Sequence, residues 1–389
     1  MLPASMPAAA AFVSHPVALL ALVLAVVAGT RLLEQRVAWV QTISSAVVCT
    51  LLGIIFANIG VIPQASPIYD GVNAYAVPYA IVLVILGSDL RDLRRAGRPI
   101  VLAFVLAAAG SFAGSLAATL AFGAMVGPEA WKLAGQFAAS FTGGGMNFVA
   151  VGRALETSAD TFAAASVVNS LSTVPWMLAQ VGLYRVLVRF YRPLPASMPV
   201  TTAEDIQAIR DRWDRATLTI TDLAVLGALP LVVLWASEQL SPLLPGFPLV
   251  LWQTTLALVL AQVPAIRRLE GAPMLSYFAL HLFFVVIGTS AVFSALAGQG
   301  PLLAAYMTSI IALHAVVAYG LGALARLDLA SITIASQAAV GGPGSALALA
   351  MTMRWPALVT PGIIVGIFGY AVGNYVGVAC AYLVRALVT

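Results

Sequence analysis

The sequence contains few charged residues and almost no lysine. Of its 389 residues only 9% are charged, against about 25% in soluble domains, while 61% are hydrophobic. Lys132 is the only lysine, so the formal net charge of +4 comes from arginines placed between apolar runs. This composition predicts an integral membrane protein with room for about ten to twelve spans, and it excludes a nucleic-acid partner.

Cysteines and enzyme motifs are equally scarce. The two cysteines, Cys49 and Cys380, fall in apolar runs, which excludes a disulfide framework or a cysteine-based metal site. The chain has no HExxH, no GxSxG and no Walker A motif GxxxxGK[ST]. We therefore expect neither enzymatic activity, nor a bound cofactor or metal, nor a self-contained ATP-driven pump.

No carboxylate lies in the middle of an apolar run. The fifteen Asp and Glu residues fall in predicted loops or near helix ends, and Asp222 and Asp328 are the deepest. Because pumps and antiporters usually carry protons on intramembrane carboxylates, carboxylate-based proton exchange is disfavoured. His281 and His314 remain as alternative proton relays, although a single histidine in an apolar run more often serves packing and hydrogen bonding.

The apolar runs form two sets of six, with corresponding runs about 200 residues apart. This pattern indicates an internal duplication, with halves at 1–191 and 217–389 and a polar linker at 192–216. Because no basic segment precedes the first run, we interpret it as a retained helix. The runs are Phe12–Leu33, Val37–Ile62, Val72–Gly87, Pro99–Val126, Trp131–Leu155, Thr161–Val188, Leu218–Glu238, Leu249–Ile266, Met274–Leu296, Pro301–Ala325, Ile332–Met353 and Leu358–Leu387.

The arginine-rich connections predict how the halves are oriented in a bacterial inner membrane. Residues 89–98, the linker and Arg267-Arg268 can all face the cytoplasm only if 131–155 enters and leaves on the same side. Applying the same rule to 332–353 makes the halves an inverted repeat, each with about five spanning helices and one discontinuous, re-entrant helix. Arg385 then lies outside, which counts against this arrangement, and full crossing of both broken helices is the alternative.

Two glycine-rich stretches interrupt the apolar runs 131–155 and 332–353. The first is Gly143-Gly-Gly145 and the second Gly341-Gly-Pro-Gly344, offset by 198 residues (341 − 143). Glycine and proline disfavour a continuing helix, and broken backbone within a membrane is tolerated where it is buried in protein or lines a cavity. Paired breaks indicate a transporter binding site, the alternative being that the glycines only allow close helix packing.

Short polar side chains surround both breaks and define the candidate site. Asn147 and Ser345 occupy the same position in the two halves, and Asn169 and Thr173 share a face of the next predicted helix. This polar cluster either lines the site or bonds neighbouring helices around Pro175. The candidate residues for solute or ion binding are Ser140, Thr142, Gly143, Gly144, Gly145, Asn147, Asn169, Thr173, Ser336, Gln337, Gly341, Gly342 and Ser345, with Na⁺ on backbone carbonyls near Gly143 and Gly341.

The motifs resemble the DUF819 (YjcL-like) membrane proteins. The resemblance rests on Gly87-Ser-Asp-Leu-Arg-Asp-Leu-Arg94, both breaks and the glycine-rich run 358–373, and it covers nearly the whole chain. It implies kinship with bile-acid/sodium symporters and cation/proton antiporters, an elevator-type transporter with scaffold and core domains, and a homodimer. Family members often carry Asp in the helix after the first break, where this chain has Asn169, so carboxylate-dependent coupling does not carry over.

These observations favour a secondary transporter that moves a small, anionic organic solute with Na⁺ across the lipid bilayer. Helix N-termini at the breaks favour an anion, and exposed carbonyls favour Na⁺. A cation/proton antiporter that uses His281 or His314 is one alternative. A channel or sensor built on the same broken helices is another.

Overall fold

A computed structural model describes residues 11–37, 45–193, 218–267, 269, 271–289 and 293–388. These residues form helices and connecting turns without a β-sheet. Nearly all of the predicted linker, and Arg268, lie outside the described residues. The helices are α1 Pro16–Arg36, α2 Ser45–Asn58, α3 Pro67–Leu86, α4 Asp92–Ala96, α5 Arg98–Val126, α6 Ala130–Gly143, α7 Gly145–Ala154, α8 Ala159–Ser170, α9 Thr173–Leu187, α10 Ile220–Leu240, α11 Leu249–Leu260, α12 Pro264–Arg267, α13 Ala272–Thr289, α14 Phe293–Leu324, α15 Leu329–Thr352 and α16 Val359–Val388.

Eight segments of the described chain are long and apolar enough to cross a membrane. They comprise α1, α3, α5, the α8–α9 pair, α10, α13, α14 and α16, while α2 and α11 are shorter apolar helices. Three predicted boundaries are wrong. Helix α3 begins at Pro67, not Val72, and has a π-helical turn at Val72–Ala76. Helix α11 ends at Leu260, not Ile266. Phe293–Leu296, assigned to the ninth run, belongs to α14, which continues through Pro301.

The predicted run Thr161–Val188 forms one candidate membrane span, which a turn at Leu171–Ser172 divides into α8 and α9. Pro175 has no N–H to donate one turn back to Leu171, so a continuous helix would lose this hydrogen bond. The Ser172 hydroxyl instead donates to the carbonyl of Asn169 at 2.6 Å. Asn169 and Thr173 lie on either side of this turn, in which Leu171 and Ser172 keep right-handed helical backbone angles.

The helices pack mainly within two groups. The break group contains α5–α9 and α14–α16, with dense contacts of α16 against α6 and α15 and of α14 against α5. The flanking group contains α1–α3, α10, α11 and α13, where α13 packs on α2 and α3. Contacts between the groups are fewer; α16 and α7 contact α11 and α3, and α8 contacts α2 and α13.

Backbone features recur in the two halves at the offset found in the sequence. Gly144 (φ 81°) matches Gly342 (φ 76°), and Glu156 (φ 52°) matches Arg354 (φ 57°), each pair 198 residues apart (342 − 144; 354 − 156). Around Glu156, hydrogen bonds from Glu156 N to Arg153 O and from Thr157 N to Gly152 O close a Schellman motif. Arg354 N to Met351 O and Trp355 N to Ala350 O repeat it 198 residues later. The two broken helices thus end in the same way.

Candidate functional site

The first broken helix is a hairpin made of α6 and α7. The Glu129 carboxylate, just before α6, accepts a 3.0 Å hydrogen bond from the backbone N–H of Ser158, just after α7. Lys132 of α6 donates to Glu129 (2.8 Å) and to the carbonyl of Glu156 (2.7 Å). The two outer ends of the broken helix therefore lie together, which is the geometry that the arginine distribution favoured.

The second broken helix, α15, also folds back on itself. Gly342 has φ 76° and ψ −175°, which divides α15 into two half-helices. A Cβ placed on Gly362 of α16 would meet Ile334 from one half and Ala346 from the other, at 2.6 and 3.4 Å. The side-by-side packing of the halves makes α15 a second hairpin.

The tips of the hairpins meet at Gly144 and Gly342. A Cβ on Gly144 would lie 3.8 Å from the Cα of Gly342 and 3.6 Å from Tyr370 Cε1. A Cβ on Gly342 would lie 3.1 Å from the Tyr370 hydroxyl. The ring of Tyr370 on α16 therefore contacts both breaks, and sequence analysis did not select this residue although it lies within the conspicuous glycine-rich run.

A row of glycines on α16 contacts both hairpins. At Gly366 a Cβ would lie 2.7 Å from Pro343, and at Gly369 2.5 Å from the carbonyl of Thr142. At Gly373 it would meet Asn147, and at Gly377 it would lie 2.6 Å from the carbonyl of Gly135. Each distance is too short for a side chain, so these glycines allow the hairpins to lie directly on the α16 backbone.

Polar groups hold the first break on both sides. Ser140 donates to Asn169 Oδ1 at 2.7 Å, and Asn147 Nδ2 donates to Asn374 Oδ1 at 2.9 Å and to the carbonyl of Tyr370 at 3.0 Å. Thr142 donates within its own helix, to the carbonyl of Ala138. Asn147 Oδ1 is buried without a donor. Of the predicted residues here, Thr142 is thus satisfied locally, whereas Asn147 retains a free acceptor.

The second break has a matching serine and an unsatisfied amide. Ser345 Oγ can donate to the carbonyl of Gly342 (3.0 Å) or of Gln337 (3.2 Å), and Asn147 likewise packs its side chain back onto Gly143. Both polar atoms of the Gln337 side chain are buried without a hydrogen-bond partner. An amide left in this state costs free energy, so a fully buried, unpaired Gln337 marks a position where a ligand would supply the missing bonds.

The turn between α8 and α9 contacts both breaks. Asn169 Nδ2 would lie 3.8 Å from a Cβ on Gly145, and the methyl group of Thr173 would lie 2.5 Å from a Cβ on Gly341. Leu171, between them, is exposed. The structure therefore brings Asn169 and Thr173 together at the hairpin tips, with the α8–α9 turn between them.

His314 connects the two hairpins through hydroxyl groups. Its Nδ1 lies 2.9 Å from Ser111 Oγ, and its Nε2 lies 2.8 Å from Ser336 Oγ. Ser111 also donates to the carbonyl of Phe141 in α6, while Trp176 Nε1 donates to Ser336 at 3.3 Å. A neutral ring protonated at Nδ1 satisfies this chain, with His314 donating to Ser111 and accepting from Ser336. His281 is similarly paired with Ser45 and the carbonyl of Tyr277.

One exposed glycine lies close behind each break. Gly145 directly follows Gly144, and Gly344 follows Gly342 after the buried Pro343; Gly143, Gly144 and Gly342 are buried. The first N–H groups of a helix have no partner within that helix and carry partial positive charge. The described residues at this opening carry amides and hydroxyls but no carboxylate, so the arrangement favours an anionic group.

One oxygen beside the first break has no hydrogen-bond donor. Asn147 Oδ1 is buried, and a Cβ on Gly143 would lie only 2.4 Å from it. The carbonyl of Thr142, against Gly369, is close by. Amide and carbonyl oxygens are ligands that small hard cations accept. Among the described residues no group of three or more His, Cys, Asp or Glu could hold a metal ion.

The fold and the site together define a polytopic, all-helical membrane protein with two broken helices that meet tip to tip. Comparison with known proteins places this chain in the DUF819 family, described as proteins of unknown function, whose model matches residues 18–387. The chain is also similar to the uncharacterized membrane protein YjcL of Bacillus subtilis (strain 168). The two are 29% identical over 360 residues, which cover 89% of this chain and 91% of that protein.

Proposed function

We propose that this protein is a secondary transporter of a small anionic organic solute, with the solute bound where the two hairpins meet. The observation that carries the proposal is the contact between Gly144 and Gly342, with an exposed glycine within two residues of each. Two helix N-termini that face one opening attract an anion without a charged side chain. Paired broken helices near the membrane midplane are the usual binding element of secondary transporters.

The proposed solute would bond to backbone and amide groups at the hairpin tips. Its anionic group would accept from the backbone N–H groups at Gly145 and Gly344 and from Asn169 Nδ2. Gln337 lies five residues before Gly342, about 7 Å along the helix, and could rotate its amide to the solute. Na⁺ as coupling ion would be held by Asn147 Oδ1 and neighbouring carbonyls, adding positive charge that favours the anion.

The two packing groups supply a mechanism for alternating access. In the proposal, the break group is the moving core, the flanking group is the scaffold, and the halves form an inverted repeat in the bacterial inner membrane. The recurrence of the Schellman motif and of the positive-φ glycine at one offset supports a duplicated origin. The sparse contacts between the groups support relative movement, because a dense interface would have to be broken in each cycle.

Uptake into proteoliposomes tests this function. Organic acids, amino acids and sugars are first screened by thermal shift, each in NaCl and in choline chloride. We expect an organic anion to stabilise the protein more strongly in Na⁺, and an imposed Na⁺ gradient to drive its accumulation. A flux that continues without accumulation, at rates above those of slow domain motions, would indicate a channel instead. Indifference of all solutes to Na⁺ would refute sodium coupling.

A further inference from the structure

We infer that a second cavity, beside Arg153, binds a small zwitterionic amino carboxylate. The cavity lies where the end of α7 and the start of α8 face α3 and α13, and its volume is about 240 Å³. One side is polar and the other is aromatic and aliphatic. Its lining residues are Asn73, Gly152, Arg153, Glu156, Thr157, Ala159, Phe162, Phe283 and Ile287.

Arg153 supplies the carboxylate-binding group. Its side chain is half-buried, and none of the ion pairs or side-chain hydrogen bonds of the described residues involves it. A guanidinium removed from water without a partner is costly, and its planar donors match a carboxylate. Ala159, the first residue of α8, lines the same cavity, but the N–H of the preceding Ser158 already donates to Glu129. Arg153 is therefore the group in this cavity that is available to a carboxylate.

Glu156 and Asn73 supply the ammonium-binding groups. Glu156 is exposed at the cavity, and it forms no ion pair with Arg153 although only three residues separate them. Lys132 bonds to the backbone carbonyl of Glu156 and forms its ion pair with Glu129 instead. Asn73 Oδ1 is buried and has no donor. An ammonium group, with three N–H donors, would satisfy both oxygens.

The remaining wall fits a short apolar side chain. Phe162 and Phe283 pack edge to face with ring centroids 5.8 Å apart, and Ile287 lies beside them. Gly152 allows this packing, because a Cβ there would lie 2.3 Å from the Phe162 ring. A cavity of about 240 Å³ is smaller than the roughly 300–1,000 Å³ of pockets for drug-sized ligands, and so suits a molecule the size of a small amino acid.

The cavity is separate from the meeting point of the hairpins. Arg153 lies eight residues after Gly145, which is about 12 Å along α7. One broken half-helix thus has a proposed solute site at each end. The binding inference depends on the cavity alone. A role for this cavity as an initial binding site on a transport path rests on the proposed function.

Three probes that share the 3-methylbutyl group test the inference by calorimetry on the purified full chain. They are L-leucine, 4-methylpentanoate, which lacks the amino group, and 3-methylbutan-1-amine, which lacks the carboxylate. We expect L-leucine to bind best. A hydrogen bond to a charged group contributes about 1.5–3 kcal/mol. Arg153→Gln should therefore raise the Kd for L-leucine about ten- to a hundredfold and leave the Kd for the amine unchanged. Glu156→Gln should weaken the binding of L-leucine but leave the binding of 4-methylpentanoate unchanged. The exposed Arg185→Gln on α9 is the matched control.

The outcomes separate this inference from the transport function. If L-leucine does not bind, or binds equally to the protein and to both cavity variants, the cavity inference is overturned while uptake of another solute can still succeed. If binding shows the expected variant pattern but no solute accumulates in proteoliposomes, the cavity site stands and the transport function fails. If Arg185→Gln weakens L-leucine binding as much as the cavity variants do, the effect is a nonspecific effect of charge and the inference is also overturned.

Discussion

Gly144 and Gly342 have almost the same unusual backbone conformation and lie against each other across the two halves of the chain. Their φ/ψ angles are 81°/178° and 76°/−175°. Extended backbone with positive φ is accessible essentially to glycine alone, so each hairpin needs glycine at its tip. Because Tyr370 contacts both tips, a side chain at either glycine would affect the junction of both hairpins.

The first prediction concerns these glycines. Gly144→Ala and Gly342→Ala should each lower the free energy of unfolding by about 1–3 kcal/mol, because alanine strains this conformation. Both should also abolish solute-induced stabilisation. Gly182→Ala on α9 is the control, since a Cβ there meets nothing within 4 Å. Chemical unfolding in detergent provides the measurement, and losses no larger than that of Gly182→Ala would contradict the strain argument.

The second prediction concerns the unpaired amide of Gln337. Gln337→Leu should leave the stability of the free protein unchanged or raise it, because the apolar replacement removes two buried unsatisfied atoms. The same variant should lose the thermal shift caused by the transported solute. A stable variant that fails to bind would distinguish a ligand-binding group from a structural one.

Gln180 provides the matched control for Gln337. Its Nε2 donates to the carbonyl of Thr333 at 3.1 Å and to the Tyr319 hydroxyl at 3.2 Å. Gln180→Leu should therefore destabilise the protein by about 1–3 kcal/mol, because buried acceptors lose their donor. If Gln337→Leu is destabilised as much as Gln180→Leu and still binds the solute, Gln337 is a packing residue.

The third prediction concerns His314, which joins the hairpins through Ser111 and Ser336. His314→Ala should lower the free energy of unfolding by about 1–3 kcal/mol, because both buried hydroxyls lose a partner. Uptake by the variant should keep the pH dependence of the unaltered protein, since the neutral ring already satisfies its neighbours. The exposed His15→Ala serves as control. Collapse of pH-dependent exchange in His314→Ala alone would instead favour the proton-antiporter alternative.

The fourth prediction concerns the hydrogen bonds of Glu129, which join the two ends of the first hairpin. Partial burial opposes ionisation, but hydrogen bonds from Lys132, Ser158 and Thr161 outweigh it and lower the pKa of Glu129 from 4.5 to about 2. The folded protein thus binds this proton less readily than the unfolded chain. The stabilisation is present above pH 4.5 and is lost as the pH falls towards 2.

Thermal unfolding between neutral and acidic pH tests whether these hydrogen bonds of Glu129 stabilise the protein. Glu129→Gln should have a lower Tm than the unaltered protein at neutral pH and a smaller further decrease in acid. Asp160→Asn removes an exposed carboxylate at the start of the neighbouring helix and is the control. Parallel Tm curves for the unaltered protein and Glu129→Gln would show that this carboxylate does not hold the hairpin closed.

Much of the architecture follows from local sequence. Apolar runs and the scarcity of charge define the membrane class, because transfer to hydrocarbon depends on side-chain chemistry that can be read residue by residue. The glycine and proline clusters mark both breaks, because these residues disfavour a continuing helix. The offset of 198 residues then predicts which positions correspond, and Gly144 and Gly342 have matching backbone angles at that offset.

The sequence by itself therefore determined the class of protein and the position of each break, but only the tertiary structure decided what each break touches. Gly144 meets Gly342, Ser111 meets His314, and Arg153 shares a cavity with Asn73, although these partners are far apart along the chain. Such contacts depend on how whole helices stack, and glycines at many positions allow close approach equally well. The position of the α8–α9 turn likewise depends on the structure. Pro175 has no N–H to donate, and the Ser172 hydroxyl bonds to the carbonyl of Asn169.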